Sequence, residues 1–252
     1  MTHYSSKDVG VLSIGGYRLL GYSTTFGWSV EAITEEAYTL GDEWVYNDAV
    51  GIKRASATQN GFFDTATLAS HEAIKALFGT RVSGVVGVQG ATALDPVECF
   101  AGMFTGSDNW NIPRDEFAKL DVGYVTTGEV ESGKLLLPYT AITSTGDDGG
   151  QDSGDSSTNN GGVGYLQVND LAFDTATGLT VTIGTASSLG GPYTDLITFT
   201  QITDDTSGVA DERVEVTGVS ADQYIQVDWE WAGTVGSETA DILVAFVRNP
   251  ST

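Results

Sequence analysis

Residues 41–64 read GDEWVYNDAVGIKRASATQNGFFD. The first part, Gly41, Asp42, Glu43, Trp44, Val45, Tyr46, Asn47 and Asp48, mixes turn-forming residues with two aromatics, which predicts an irregular loop running to Gly51. The second part alternates Lys53, Ala55, Ala57 and Gln59 with Arg54, Ser56 and Thr58, the period of a strand with two unlike faces. It closes on Gly61-Phe62-Phe63-Asp64, an aromatic anchor between turn residues. Nothing in the stretch can act as a nucleophile, a metal cage or a phosphate cradle. It reads as a device for packing and contact.

Working outward, residues 1–16 form an arm, with a short strand from Val9 to Ile14 and a hinge at Gly15-Gly16. Strands are expected at Tyr17–Gly21 and Trp28–Leu40, where Trp28, Val30 and Ala32 alternate with Ser29, Glu31 and Ile33. Between Thr67 and Gly79 the apolar residues Leu68, Ala73, Ile74, Leu77 and Phe78 fall mostly at helical spacing, with Thr67 or Ser70 to cap the start and Gly79 to end it. Strand patterns resume at Arg81–Val88, Val97–Thr105, Phe117–Thr127 and Glu129–Thr143, and Thr126-Thr127-Gly128-Glu129 predicts a hairpin turn. This implies antiparallel hairpins rather than βαβ units.

Residues 146–162, GDDGGQDSGDSSTNNGG, contain no hydrophobic side chain and predict a flexible acidic linker or exposed loop. Six short β-branched or aromatic runs follow, at Tyr165–Phe173, Leu179–Thr185, Leu196–Ile202, Arg213–Thr217, Tyr224–Ala232 and Ile242–Val247. Turn residues separate them at the spacing of a sandwich or jelly roll. The expected fold is all-β. A first β-sandwich or barrel over residues 1–145 carries the arm and one short helix, and a second sandwich covers residues 163–252.

The chain has 252 residues, with 11 basic against 34 acidic and a net charge of −23. That balance excludes a phosphate-gripping nucleic-acid binder, which needs a clustered basic face. Residues 1–145 carry a net −8 and residues 146–252 a net −15, so the two parts are expected to face different surroundings. The lone cysteine, Cys99, allows no intrachain disulfide and sits in an apolar run, as a buried small hydrophobe does. There is no secretory pattern at the start and no run near the roughly 18 apolar residues of a membrane span. The expectation is synthesis in a cytoplasm and no membrane span.

Chemistry is sparse. His3 lies in the arm, and His71 stands early on the helix with no Cys or second His nearby. No nucleophile elbow, zinc-protease, redox or P-loop motif occurs. The adjacent acids Glu35/Glu36, Asp42/Glu43 and Asp204/Asp205 would point to opposite strand faces. The expectation is no enzyme activity, no cofactor and no metal. Asp147, Asp148, Asp152 and Asp155 invite a calcium reading, but their spacing departs from the EF-hand loop. Trp229 and Trp231 lie two apart on a strand, hence on one face: a sugar platform if exposed, core if internal. The flanking Asp228 and Glu230 suit an opposite, solvated face and favour core.

Taken together, Trp28–Asp64 resembles the N-terminal part of the tail tube (major tail) proteins of long-tailed bacteriophages. The shared pattern is a strand pair, a loop of the form Gly41-Asp42-x-Trp44, and a strand ending Gly61-Phe62-Phe63-Asp64 that leads into a short helix. Gly164–Val168, Leu196–Phe199, Arg213–Val216 and Tyr224–Val227 look like the second half of some of these proteins. The resemblance implies a virion protein of the tail, with copies forming rings that stack into a tube through which DNA passes unbound. Gly41–Gly51 would be the loop that reaches the next ring, and other tail proteins would be further partners. Six chains would make a ring if residues 163–252 decorate the outside, and three if they are a second tube fold. The rival readings are a two-domain β-sandwich lectin-like or adhesin module holding sugar at Trp229 or Trp231, a tail terminator, or a head decoration protein.

Overall fold

A computed structural model describes residues 9–37, 46–62, 64, 66, 68–112 and 114–249. In chain order the elements are β1 (Val11–Ile14), β2 (Tyr17–Arg18), β3 (Ser23–Ala37), β4 (Tyr46–Phe62), α1 (Ser70–Leu77), β5 (Val82–Gly87), β6 (Pro96–Asn111), β7 (Lys119–Thr126), β8 (Val130–Ile142), β9 (Gly146–Asp147), β10 (Gln151–Asp152), β11 (Gly162–Ala172), β12 (Ala176–Ala186), β13 (Thr194–Thr198), β14 (Ala210–Val216), β15 (Tyr224–Gly233) and β16 (Thr239–Arg248). The all-β class follows from the alternation in these runs and is what the structure has, in two antiparallel sheets.

The larger sheet runs β14-β11-β16-β8-β6-β5-β1-β2, with β7 beside β6, β4 beside β7 and β3 beside β4. Alternation sorts its residues. Along β1, β5, β6, β8, β11 and β16, the side chains of Val11, Val85, Val97, Cys99, Leu135, Tyr165, Leu243 and Ala245 share one buried cluster. The intervening residues Leu12, Ile14, Val86, Phe100 and Met103 face α1, β4 and β7 in a second cluster. Leu136, Leu166, Val168, Ile242, Val244 and Phe246 face the smaller sheet, β10-β15-β12-β13 with β9 beside β15, in a third.

The first cluster is enclosed because the sheet curls until β1 and β11 meet through side chains. Gln167, fully buried, accepts from the Ser13 hydroxyl at 3.1 Å and the Gly16 backbone N–H at 2.8 Å. Its amide donates to the Ser83 hydroxyl at 2.7 Å. Asp211 accepts from the Ser83 backbone N–H and hydroxyl at 2.6 and 2.9 Å, and Ser13 and Tyr139 share a hydrogen bond of 2.6 Å. Each buried polar group here has a partner, as burial requires.

Three expectations change in the structure. First, residues on both sides of 146–162 belong to one hydrogen-bonded sheet: β8 pairs with β16 and, on its other edge, with β6. Second, residues 146–162 do not run free. β9 and β10 add to β15, Lys134 pairs with Asp155 at 2.9 Å, and Thr158 and Ala221 exchange backbone hydrogen bonds. A stretch without hydrophobic side chains can still be pinned through its backbone. Third, Thr126–Glu129 is no hairpin. β7 and β8 both run antiparallel to β6, one after the other along the same edge, and the Ala101 and Thr127 backbone N–H groups carry the ladder across the break. A Cβ on Gly128 would sit 2.9 Å from that of Ala101, so the chain passes too close for a larger residue.

Helix α1 is shorter than the 67–79 pattern. It starts after Ala69, and the Ser70 hydroxyl donates to the Phe62 carbonyl oxygen while accepting from the Asp64 backbone N–H. Gly79, at φ +71, ends it in the left-handed region.

Candidate assembly surface

The decisive strand pair is longer than its sequence suggests. β3 and β4 pair from Ser23↔Gly61 to Ala37↔Tyr46, with irregular register between Ala32 and Thr34. Tyr46, Asn47 and Asp48, expected in a loop, open β4 opposite Ala37, Glu36 and Glu35. Gly41, Asp42, Glu43, Trp44 and Val45 lie outside the described residues.

β7 covers β4 only from Ser56 to Phe62. Over residues 29–37 and 46–55 the described residues provide β3 and β4 with no other strand. Eight strand steps from Ser29 make this a two-stranded ribbon about 26 Å long, leaving the body of the molecule. A lone ribbon of this kind is marginal in water without a third strand or a packed face.

The ribbon's faces follow from alternation. At its base Phe26 and Trp28 pack on the core, with ring centroids 6.4 and 6.2 Å from that of Phe100 in edge-on contact. Val30 continues the same face but is 50% exposed, and Ile33, at the irregularity, is 37% exposed. The opposite face carries Thr25, Gly27, Ser29 and Glu31 across from Asn60, Thr58, Ser56 and Arg54, all exposed. It is polar and small, and it continues onto exposed Asp121 of β7.

At the other end of β4, Phe62 lies edge-on to Phe117 at 6.0 Å, and Trp110 lies edge-on to His71 at 4.9 Å. Trp110 also donates its indole N–H to Asp108 at 2.6 Å. The sequence marks Phe62 within the Gly61–Asp64 anchor, but nothing in it brings Trp110, Ile112 and Phe117, scattered among polar residues at the β6–β7 connection, to that anchor.

The other candidates are structural. Trp231 is 3% exposed and edge-on to Phe173 at 5.8 Å, so it cannot stack on a ligand. Trp229, half-buried, donates its indole N–H to the Ser144 carbonyl oxygen at 2.9 Å. The Asp-rich segment spends its carboxylates locally: Asp147, Asp148 and Asp152 accept from the backbone N–H groups of Gly149, Gly150 and Gly154. Among the described residues no group of three or more His, Cys, Asp or Glu is placed to hold a metal ion, and no helix is long and apolar enough to cross a membrane. Burial pushes the Cys99 thiol well above its ordinary value, with Glu131 and Glu98 adding to the effect.

Two charged groups stand out on the smaller sheet. Partial burial, then Asp147, Asp148 and Asp195, push Asp228 up to about 6. For Glu238 burial works to raise the carboxyl, but backbone N–H donors that include Thr175, Ala176 and Gly236 outweigh it and bring it down to about 2. Those three bonds are 2.8, 2.6 and 2.5 Å long and tie the β11–β12 and β15–β16 connections together.

No protein-family model and no curated protein sequence matches the chain. Among solved structures it is similar to a chain of the virion of a native gene transfer agent particle, with 14% identity over 52% of this chain and 98% of that one and a TM-score of 0.40. A chain in the tail of an empty gene transfer agent particle gives 15% identity, 51% and 97% coverage and a TM-score of 0.39. The SPP1 Dit protein, described as a hub of the adsorption apparatus of phages infecting Gram-positive hosts, gives 11% identity, 94% and 99% coverage and a TM-score of 0.35.

Proposed function

We propose that this chain is a structural virion subunit that assembles with copies of itself into the rings of a phage tail tube. The observation that carries the reading is the β3–β4 ribbon: about 26 Å of two-stranded sheet, with bare edges among the described residues and a half-exposed Val30 on its apolar face. Unpaired edges and uncovered apolar faces are liabilities on a monomer and contacts in an assembly. The tail-tube pattern in Trp28–Asp64 falls on this ribbon and its root.

The polar face of Thr25, Ser29, Ser56, Thr58 and Asn60 suits a wall past which DNA slides. It offers no basic cluster to grip phosphate. Among the described residues there is one α-helix and one ribbon, which favours one tube unit per chain, six chains per ring, and an outward-lying smaller sheet.

Electron microscopy of the concentrated protein tests this. Rings or tubes roughly 100 Å across are expected, the scale of six such bodies around a pore. Protein that stays monomeric at every salt and concentration would end the proposal.

A further inference from the structure

The self-assembly reading leaves open what the ribbon meets, and the inference here rests on that reading. Among the described residues, six of the eleven exposed large apolar side chains lie towards the two ends of β4. Val30 and Ile33 stand on the ribbon, at 50% and 37% exposure. At the far end Phe62 and Trp110 are each 43% exposed, Ile112 72% and Phe117 80%. Two adjoining cavities of about 410 and 490 Å³ share Phe62 and Lys119 there. The patch is therefore indented, able to receive a protruding element.

The two features cannot meet within one molecule. Val30 pairs with Ala55, and seven strand steps, about 23 Å of one rigid strand, separate Ala55 from Phe62. They differ in shape, one projecting and one recessed. They also differ in charge. Lys53 is exposed on the ribbon face that carries Val30, while Asp115 is exposed beside the patch, where Lys119 is already paired with Glu116 at 2.7 Å. Copies of a chain with net charge −23 repel at long range, so a stable contact between them needs opposite charges set locally.

We propose that the ribbon of one copy docks into the Phe62–Trp110–Ile112–Phe117 patch of the next. Val30 enters the recess, and Lys53, which shares its face of the ribbon, meets Asp115. Because two different surfaces meet, the contact is heterologous. It adds copies head to tail and either closes into a ring or runs on as a fibre.

Cysteine cross-linking tests it. Val30→Cys and Phe117→Cys are made in separate chains, mixed and oxidised; Cys99 is buried and stays silent. The mixture is expected to give covalent dimers at least tenfold above either variant alone. Phe117→Asp and Ile112→Asp, both at exposed positions, should abolish large species in light scattering while leaving the circular dichroism melt unchanged. Lys53→Glu should weaken assembly, and Asp115→Lys in the mixing partner should restore it.

If wild-type protein assembles but the mixture gives no cross-link and Phe117→Asp assembles normally, the docking is overturned and self-assembly stands. If Val30→Cys cross-links chiefly to itself, the contact is ribbon to ribbon, and the docking is again overturned. If wild-type protein neither assembles nor cross-links, both readings fall.

Discussion

Replacing Gln167 with Ala is the sharpest test of whether the curled sheet is one cooperative body. Gln167 is fully buried on β11 and makes three hydrogen bonds, to Ser13, Gly16 and Ser83, which come from the opposite margin of the same sheet. Three lost bonds cost about 1 kcal/mol each, and the Gly16 backbone N–H is left buried without its acceptor, at about 1–3 kcal/mol. The expected loss is about 4–6 kcal/mol, a large part of the roughly 5–15 kcal/mol that holds a protein folded. For a chain of this size that is a drop of about 10–20 °C in melting temperature. Gln167→Met fills the same space without restoring the bonds, so it should recover only the part of the loss due to the cavity. Calorimetry and urea denaturation followed by tryptophan fluorescence read the effect. One transition that moves as a whole is expected for both variants. Two transitions of which only one moves, or a shift below about 1 kcal/mol, would refute the reasoning, since residues 1–145 and 163–252 would then fold apart.

Other perturbations have defined signs. Asp228 sits above its unfolded value, so its contribution is fully present below pH 4 and is lost as pH rises through about 6. Asp228→Asn should therefore be more stable than wild type at pH 8 and indistinguishable from it near pH 3.5 in urea melts. Glu238 is depressed to about 2, so its contribution is present above pH 4.5 and lost as pH falls towards 2. Glu238→Gln should accordingly lower the melting temperature at pH 7, with the gap to wild type closing below pH 3. Cys99, buried and with its thiol pushed up, should resist a thiol reagent in the native protein and react at once in 6 M guanidinium, a contrast that a colorimetric thiol assay measures directly.

Strand identity was legible because alternation is local. Trp28 and Val30 against Ser29 and Glu31, or Ile225 and Val227 against Gln226 and Asp228, declare their faces over a few residues. Pairing was not legible. That β8 joins β16 rather than turning back on β7 depends on partners about 100 residues apart, and nothing within Glu129–Thr143 encodes the choice. The acidic segment at 146–162 misled for a related reason: composition reports side chains, whereas this segment is held by its backbone and by short Asp–backbone turns.

The candidate site was half legible. The ribbon strands were visible, but Tyr46–Asp48 read as loop because turn-forming residues also serve in a strand once a partner ladder fixes them. The patch around Phe62, Trp110 and Phe117 is assembled only by the fold. Trp231 was ambiguous until the second sheet covered it.

The central claim is that the β3–β4 ribbon makes copies of this chain associate. Mass measured by light scattering after size exclusion tests it most directly. It is run on wild-type protein and on a variant in which residues 33–52, between the paired Ala32 and Lys53, are replaced by Asn-Gly, a two-residue turn that fits a short hairpin. Wild type is expected at several times 26.5 kDa, and the shortened chain at 26.5 kDa with an unchanged circular dichroism spectrum. A wild type that elutes at 26.5 kDa at all concentrations, or a shortened chain that assembles as wild type does, would contradict it.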